Sequence, residues 1–240
     1  MKEKLIVALD VSTRKEALQL AEKLWDSVGA FKIGMQLYNS EGPDIIKDIQ
    51  ELGGKVFVDL KFHDIPNTVS QTSRVITRRK AFMFSIHASG GMEMMKKSAC
   101  AVREVSQELG IMKPLIIAIT VLTSINQEVF ENEVGIEKPI EEQVVNWARL
   151  AQEAGLDGVV ASPKEIKAIR NACGPDFVIV TPGIRPLWAT SNDQKRVMTP
   201  KQAVKEGATY LVVGRPITAH PNPGEAARKI VEEMEEALYA

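Results

Sequence analysis

Three charged residues crowd an otherwise apolar stretch: Asp59, Lys61 and Asp64, within Val58-Asp59-Leu60-Lys61-Phe62-His63-Asp64-Ile65-Pro66-Asn67-Thr68. Lys55-Val56-Phe57-Val58 before them reads as a β-strand that ends where the charges begin. A strand turns alternate side chains to opposite faces, so Asp59 and Lys61 are expected on one face, with Val56, Val58 and Leu60 on the other. Charges are seldom buried unless paired. Two readings fit: a structural ion pair at a sheet end, or a polar reaction site. A lysine flanked by carboxylates is held protonated, which opposes a Schiff-base role and suits a proton donor to a developing carbanion.

The elements that must position these residues follow from the apolar pattern. Apolar runs at 5–10, 31–35, 55–58, 82–87, 115–122, 158–161, 177–181 and 210–214 read as strands. Such runs suit parallel strands covered on both faces. Helical segments separate them. The first begins at Ser12 or Thr13, with Glu16 placed to complete a capping box and Leu18, Leu20, Ala21, Leu24 and Trp25 as its apolar face. Others are expected at 42–52, from caps Asn67 and Thr68 to 79, at 92–109, at 140–154, after Ser162-Pro163, at 200–206 and at 223–238. Eight strict βα alternations imply a (β/α)8 TIM barrel, one catalytic domain over residues 1–240. An open doubly wound sheet is the lesser alternative, because Asp10-Val11-Ser12 stands where a glycine-rich dinucleotide turn would follow the first strand.

In a TIM barrel the site lies at the C-terminal ends of the strands. Those ends carry Asp10, then Lys32, then Asp59, Lys61 and Asp64, then His87, then Thr123 and Ser124, then Thr181 and Arg185, then Gly214 and Arg215. The opposite ends have no comparable cluster, and this asymmetry points to an enzyme rather than a binding module. Gly214 lets backbone N–H groups approach an anion, and Arg215 adds a permanently charged donor fork. Barrels often bind a substrate phosphate with the loops after strands seven and eight; Arg185 and Gln194 lie in the aperiodic segment 182–198, which reads either as a solvated surface loop or as a lid whose arginine reaches that phosphate. His87 is read as supporting the site rather than acting on substrate. No metal is expected, because Lys32 and Lys61 put positive charge where a divalent ion beside Asp59, His63 and Asp64 would sit. No cofactor motif is present either.

A net charge of −1 gives no electrostatic case for nucleic acid or an anionic membrane. No apolar run approaches the ~20 residues of a membrane helix. Cys100 and Cys173 form neither a metal spacing nor a disulfide framework and are expected as reduced thiols. The N-terminus runs straight into a strand without the features of a signal peptide, so the expected location is cytoplasmic.

Seven blocks in order, Val7-Ala8-Leu9-Asp10, Phe31-Lys32-Ile33-Gly34, Asp59 through Thr68, His87-Ala88-Ser89-Gly90-Gly91, Leu122-Thr123-Ser124, Thr181-Pro182-Gly183-Ile184-Arg185 and Val213-Gly214-Arg215-Pro216-Ile217, resemble the orotidine 5′-phosphate decarboxylase family of bacteria over essentially the whole chain. The resemblance implies decarboxylation of orotidine 5′-monophosphate to uridine 5′-monophosphate without metal or cofactor. It implies Lys61 as the proton donor to C6, with Asp59 beside the substrate carboxylate and Asp10 and Lys32 on the ribose and in the charge network. It also implies a homodimer with shared sites, Asp64, Ile65 and Thr68 reaching the neighbouring subunit's site. Thr123 falls near the pyrimidine with Ser124 beside it, and Arg185, Gln194, Gly214 and Arg215 on the phosphate. Arg79-Lys80 and Ser85 depart from the family's common residues, and any effect is expected on stability or strand packing. The alternatives are a magnesium-dependent hexulose- or gulonate-phosphate synthase or decarboxylase of the same superfamily, which carries an acid where this chain has Lys32, and a catalytically silent nucleotide-phosphate binder.

Overall fold

β1 (Leu5–Ala8) is buried at all four positions, as a parallel strand must be when helices cover one face and packed side chains the other. The same logic forms β2 (Ala30–Gly34), β3 (Val56–Phe62), β4 (Met83–His87), β5 (Leu115–Ile119), β6 (Gly158–Val160), β7 (Val178–Thr181) and β8 (Tyr210–Val213). The structure, a computed structural model, describes residues 1–189 and 198–239. Among these, the eight strands close in sequence order, each parallel to its neighbour, with Leu5 to Val7 of β1 paired to Leu211 to Val213 of β8. The fold is a (β/α)8 TIM barrel.

The helices are α1 (Arg14–Leu24), α2 (Met35–Glu41), α3 (Ile45–Glu51), α4 (Pro66–Arg78), α5 (Gly91–Leu109), α6 (Gln127–Asn132), α7 (Ile140–Glu153), α8 (Ile166–Cys173), α9 (Pro200–Glu206), α10 (Arg215–Thr218) and α11 (Pro223–Glu235). Capping boxes open α1, with Thr13 and Glu16, and α9, with Thr199 and Gln202. Several expectations need correction. Residues 42–52 hold only α3; α2 starts directly after β2, and Gly42, at φ +74°, breaks the chain between the two. Asn67 and Thr68 do not cap α4, which begins at Pro66 with Pro at its first position and no side-chain cap. Between β5 and α7, where the apolar pattern predicts no helix, the chain forms α6, capped by the Asn126 side chain, which accepts from the Val129 N–H at 2.9 Å. The α1 stripe is Ala17, Ala21 and Leu24, whereas Trp25 is 57% exposed.

Two layers of core follow from the period of two. One side chain set points inward and fills the barrel: Ile6, Ala8, Ala30, Phe57, Met83, Ile117, Val180 and Val212. The alternate set, including Leu5, Val7, Phe31, Val56, Val58 and Phe84, packs outward against the helices. Two residues further along the inward face, β2, β3 and β4 change character: Ala30 gives way to Lys32, Phe57 to Asp59 and Met83 to Ser85. β5 stays apolar, with Ile119 two after Ile117. One half of the barrel mouth is therefore polar and the other greasy.

Candidate active site

β3 does not end before its charges; it continues through Asp59, Leu60 and Lys61 to Phe62. Its register against β4 breaks there. Val58 pairs with Phe84 and Phe62 with Ile86, so β3 advances four residues while β4 advances two. The extra chain arches over Ser85, and Lys61 sits at φ +54°, a left-handed conformation uncommon for a residue with a side chain. The bulge changes the reason for the expected geometry while keeping its result. Simple alternation does not describe this stretch, yet Lys61 Nζ lies 2.9 Å from Asp59 Oδ2.

Asp59 is the hub. It is 8% exposed, and its Oδ2 faces Lys61 Nζ at 2.9 Å and Lys32 Nζ at 3.7 Å. Its Oδ1 accepts from the Ser85 hydroxyl at 2.8 Å. Burial by itself pushes the Asp59 carboxyl up. Lys32, then Lys61, and the hydrogen bonds from Lys61 and Ser85 outweigh that and hold it below the usual 3.8. Lys32 also reaches Asp10 Oδ1 at 3.1 Å, so the order across the mouth is Asp10, Lys32, Asp59, Lys61. Gly34 leaves room for this chain of charges, since a Cβ there would meet Lys32 Nζ at 3.1 Å.

The network borders a cavity of about 200 Å³ lined by Lys32, Phe57, Asp59 and Lys61 on one side and by Ile119, Val121, Leu122, Thr123, Val160, Ala161, Val180, Pro182 and Val212 on the other. A second cavity of about 320 Å³ shares Lys32, Pro182 and Val212 with it and adds Asp10, Gly183, Arg185, Gly214 and Arg215. Two polar regions thus adjoin: the charge network, and an arginine-bearing recess between β1, β7 and β8. Gly214 stands on the wall of that recess, where a Cβ would lie 3.7 Å from Ala8 Cβ and 3.8 Å from Asp10 Oδ2, ordinary contact distances. Arg185 is also anchored by its backbone, donating its N–H to Met198 O at 2.9 Å.

Not every residue singled out in the sequence comes to these cavities. Thr181 is buried on the outward side, with Ile179, and its hydroxyl oxygen has no hydrogen-bond partner among the described residues. Ser124 is exposed and lines neither cavity. Asp64, Ile65 and Thr68 are exposed at the start of α4 and line neither cavity of their own barrel; Asp64 Oδ1 accepts from the Ile65 N–H at 2.7 Å. Gln194 lies outside the described residues. His87, at the end of β4, stacks on His63 with ring centroids 5.0 Å apart. Its pKa is lowered to about 4, first by burial, then by His63 and Lys61, with Asp59 opposing. Ser85 is the residue that sequence reasoning set aside. The signal that finds it is its place two after Met83, on the inward face at the level of Asp59. Among the described residues no group of three or more His, Cys, Asp or Glu side chains is arranged to hold a metal ion.

Residues 3–230 match the sequence profile of the family described as Orotidine 5'-phosphate decarboxylase / HUMPS family. The chain is 56% identical over 235 residues to the orotidine 5'-phosphate decarboxylase of Syntrophomonas wolfei, covering 98% of each chain. It is 56% identical over 237 residues to that of Heliobacterium modesticaldum, covering 99% of this chain and 98% of the relative. Among solved structures, orotidine 5'-phosphate decarboxylase from Lactobacillus acidophilus superposes with a TM-score of 0.85 at 37% identity, covering 96% of this chain and 98% of the other.

Proposed function

We infer the mechanism from one premise: the chain belongs to the orotidine 5′-phosphate decarboxylase / HUMPS family. The protein decarboxylates orotidine 5′-monophosphate to uridine 5′-monophosphate in pyrimidine biosynthesis. What the chain's own residues do in that reaction is our proposal. The observation that carries it is a single buried carboxylate, Asp59, set between two ammonium groups at the wall of an apolar cavity.

The C6–carboxylate bond breaks and leaves its electron pair on C6, in the plane of the ring, as carbon dioxide departs. A carbanion of that kind has no delocalised sink, so a fixed positive charge must wait where the pair develops. Lys61 supplies it and then transfers an Nζ proton to C6, which gives the product. Asp59 fixes Lys61 from one side and lies beside the substrate carboxylate on the other. Asp10 and Lys32 take the ribose hydroxyls, and Thr123 the pyrimidine edge with Ser124 next to it. Arg185, Gln194, Gly214 and Arg215 take the phosphate. The two adjoining cavities support this division: the phosphate recess supplies remote binding energy that positions the base over Lys61. The greasy wall of Ile119, Val160 and Val180 keeps water from the developing carbanion.

The magnesium-dependent alternative is disfavoured by Lys32, whose ammonium occupies the space beside Asp59 Oδ2 that a divalent ion would need. Asp64, Ile65 and Thr68 serve the partner's site in a homodimer; their exposure, with Ile65 67% exposed just before α4 and Val75 51% exposed on it, supports that reading. A cytoplasmic location fits the same enzyme, and among the described residues no helix is long and apolar enough to cross a membrane. The test is a spectrophotometric assay of orotidine 5′-monophosphate in EDTA without added metal. Formation of uridine 5′-monophosphate is expected; activity that chelation abolishes would reject the metal-free mechanism. Mixing Lys61→Ala subunits with Asp64→Ala subunits should restore roughly a quarter of wild-type activity through hybrid dimers, and no recovery would place Asp64 outside the partner's site.

A further inference from the structure

We propose that Ser85 is a positioning residue for the reaction, locking the Asp59 carboxylate and the Lys61 backbone into one unit. The inference rests on the reading of Lys61 as proton donor. Ser85 is fully buried on the inward face of β4. Its oxygen accepts the Lys61 backbone N–H at 2.9 Å and its hydroxyl donates to Asp59 Oδ1 at 2.8 Å. The direction is forced. A backbone N–H only donates, so the serine proton is left for the carboxylate, and the hydroxyl cannot reverse without losing both bonds.

Two consequences follow for the site. Lys61 stands at φ +54° in the irregular part of β3, where it has no regular strand partner, and Ser85 supplies one for its N–H. Asp59 has its Oδ1 tied down, which turns Oδ2 towards Lys61 and Lys32. One hydroxyl therefore sets both where Nζ starts from and where the carboxylate that aims it points. The phosphate recess, lined by Arg185, Gly214 and Arg215, contains no part of this unit. Loss of the hydroxyl should then act on turnover and spare substrate capture.

The experiment compares Ser85→Thr with Ser85→Val, side chains of nearly the same shape that differ by the hydroxyl, with Ser85→Ala as a smaller control. Wild type is assayed first; failure to convert orotidine 5′-monophosphate would remove the functional reading itself. Given turnover, Val is expected to lose roughly 10- to 100-fold in kcat relative to Thr, the scale of one lost charge-assisted hydrogen bond, with KM changed less than about 3-fold. Equal kcat in Thr and Val overturns the assignment, as does a loss expressed mainly in KM. A Val variant that unfolds where Thr folds makes the hydroxyl structural and overturns it too.

Discussion

Two Lys–Asp pairs stand at opposite ends of the barrel, and the difference between them separates a site from a clamp. At the N-terminal end, Lys113 Nζ lies 2.6 Å from Asp157 Oδ1, and Asp157 Oδ2 accepts the Ile116 N–H at 2.8 Å. That carboxylate has one cation, and its second oxygen is used to tie the loop before β6 to β5. At the C-terminal end, Asp59 has two cations, a serine hydroxyl and a cavity in front of it. The Lys113 pair is also more exposed, with the lysine side chain at 37% against 26% for Lys61. Distance alone would rank the wrong pair first. What distinguishes the site is convergence: two ammonium groups and a hydroxyl meet on one buried carboxylate at the wall of a cavity.

The largest break in the comparison comes from removing the two lysines. Lys61→Ala is expected to lower kcat by at least about 10³-fold, since it deletes both the proton and the preorganised charge. Lys113→Ala should leave kcat within about 2-fold and lower Tm by only a few degrees, as a part-exposed pair contributes about 0.5–1 kcal/mol. Steady-state assays and thermal melts of the two variants decide this, and comparable kcat losses would dissolve the distinction. Arg215→Ala comes next. It should raise KM for the nucleotide about 10- to 100-fold with a smaller change in kcat, because a charge-assisted contact to phosphate is lost in the recess that adjoins the charge network. Asp157→Ala then tests the clamp. It strands the Ile116 N–H as well as Lys113, so the loss is about 1–3 kcal/mol of stability by urea titration, with kcat unaltered.

The barrel was legible because its strands are near-continuous apolar runs, and a run such as 5–10 has few other uses. The short helices α2, α6 and α10 were not: four to seven residues hold too few turns for a 3.6 period to emerge, and these lack the punctuation that marked the equally short α3, by Gly53-Gly54 after it, and α9, by Thr199-Pro200 at its start. Asp59 and Lys61 stood out as charges in an apolar stretch, but the bulge that carries them did not. No glycine marks the left-handed position, because it is taken by Lys61 itself. Ser85 was read as a matter of strand packing for a related reason. A serine within a strand is compatible with burial anywhere, and only the register with β3 puts its oxygen between a carboxylate and a strained N–H. Asp64, Ile65 and Thr68 show the opposite limit, for only the family resemblance attached them to a neighbouring subunit, and a single chain leaves them exposed.

The smallest expected effect separates two groups of the upper end by pH. His87 is held at about 4 in the folded protein, against an ordinary 6.5, because burial and the charges of His63 and Lys61 oppose its protonation more than Asp59 favours it. Between those values the unfolded chain binds a proton that the folded chain refuses, so stability falls as pH drops from about 6.5 towards 4. Asp59 behaves differently. Its carboxyl is held below 3.8, so its contribution is complete above that value and is lost only as pH falls further, through the lowered folded value. His87→Gln should therefore flatten the stability curve between pH 7 and pH 5 while leaving the steeper acid loss in place. Urea unfolding at fixed protein concentration across that range measures the difference between wild type and variant. If both lose stability equally between pH 7 and pH 5, the half-buried histidine is not what makes this end of the barrel acid-sensitive there, and the stacked His63–His87 pair is only packing.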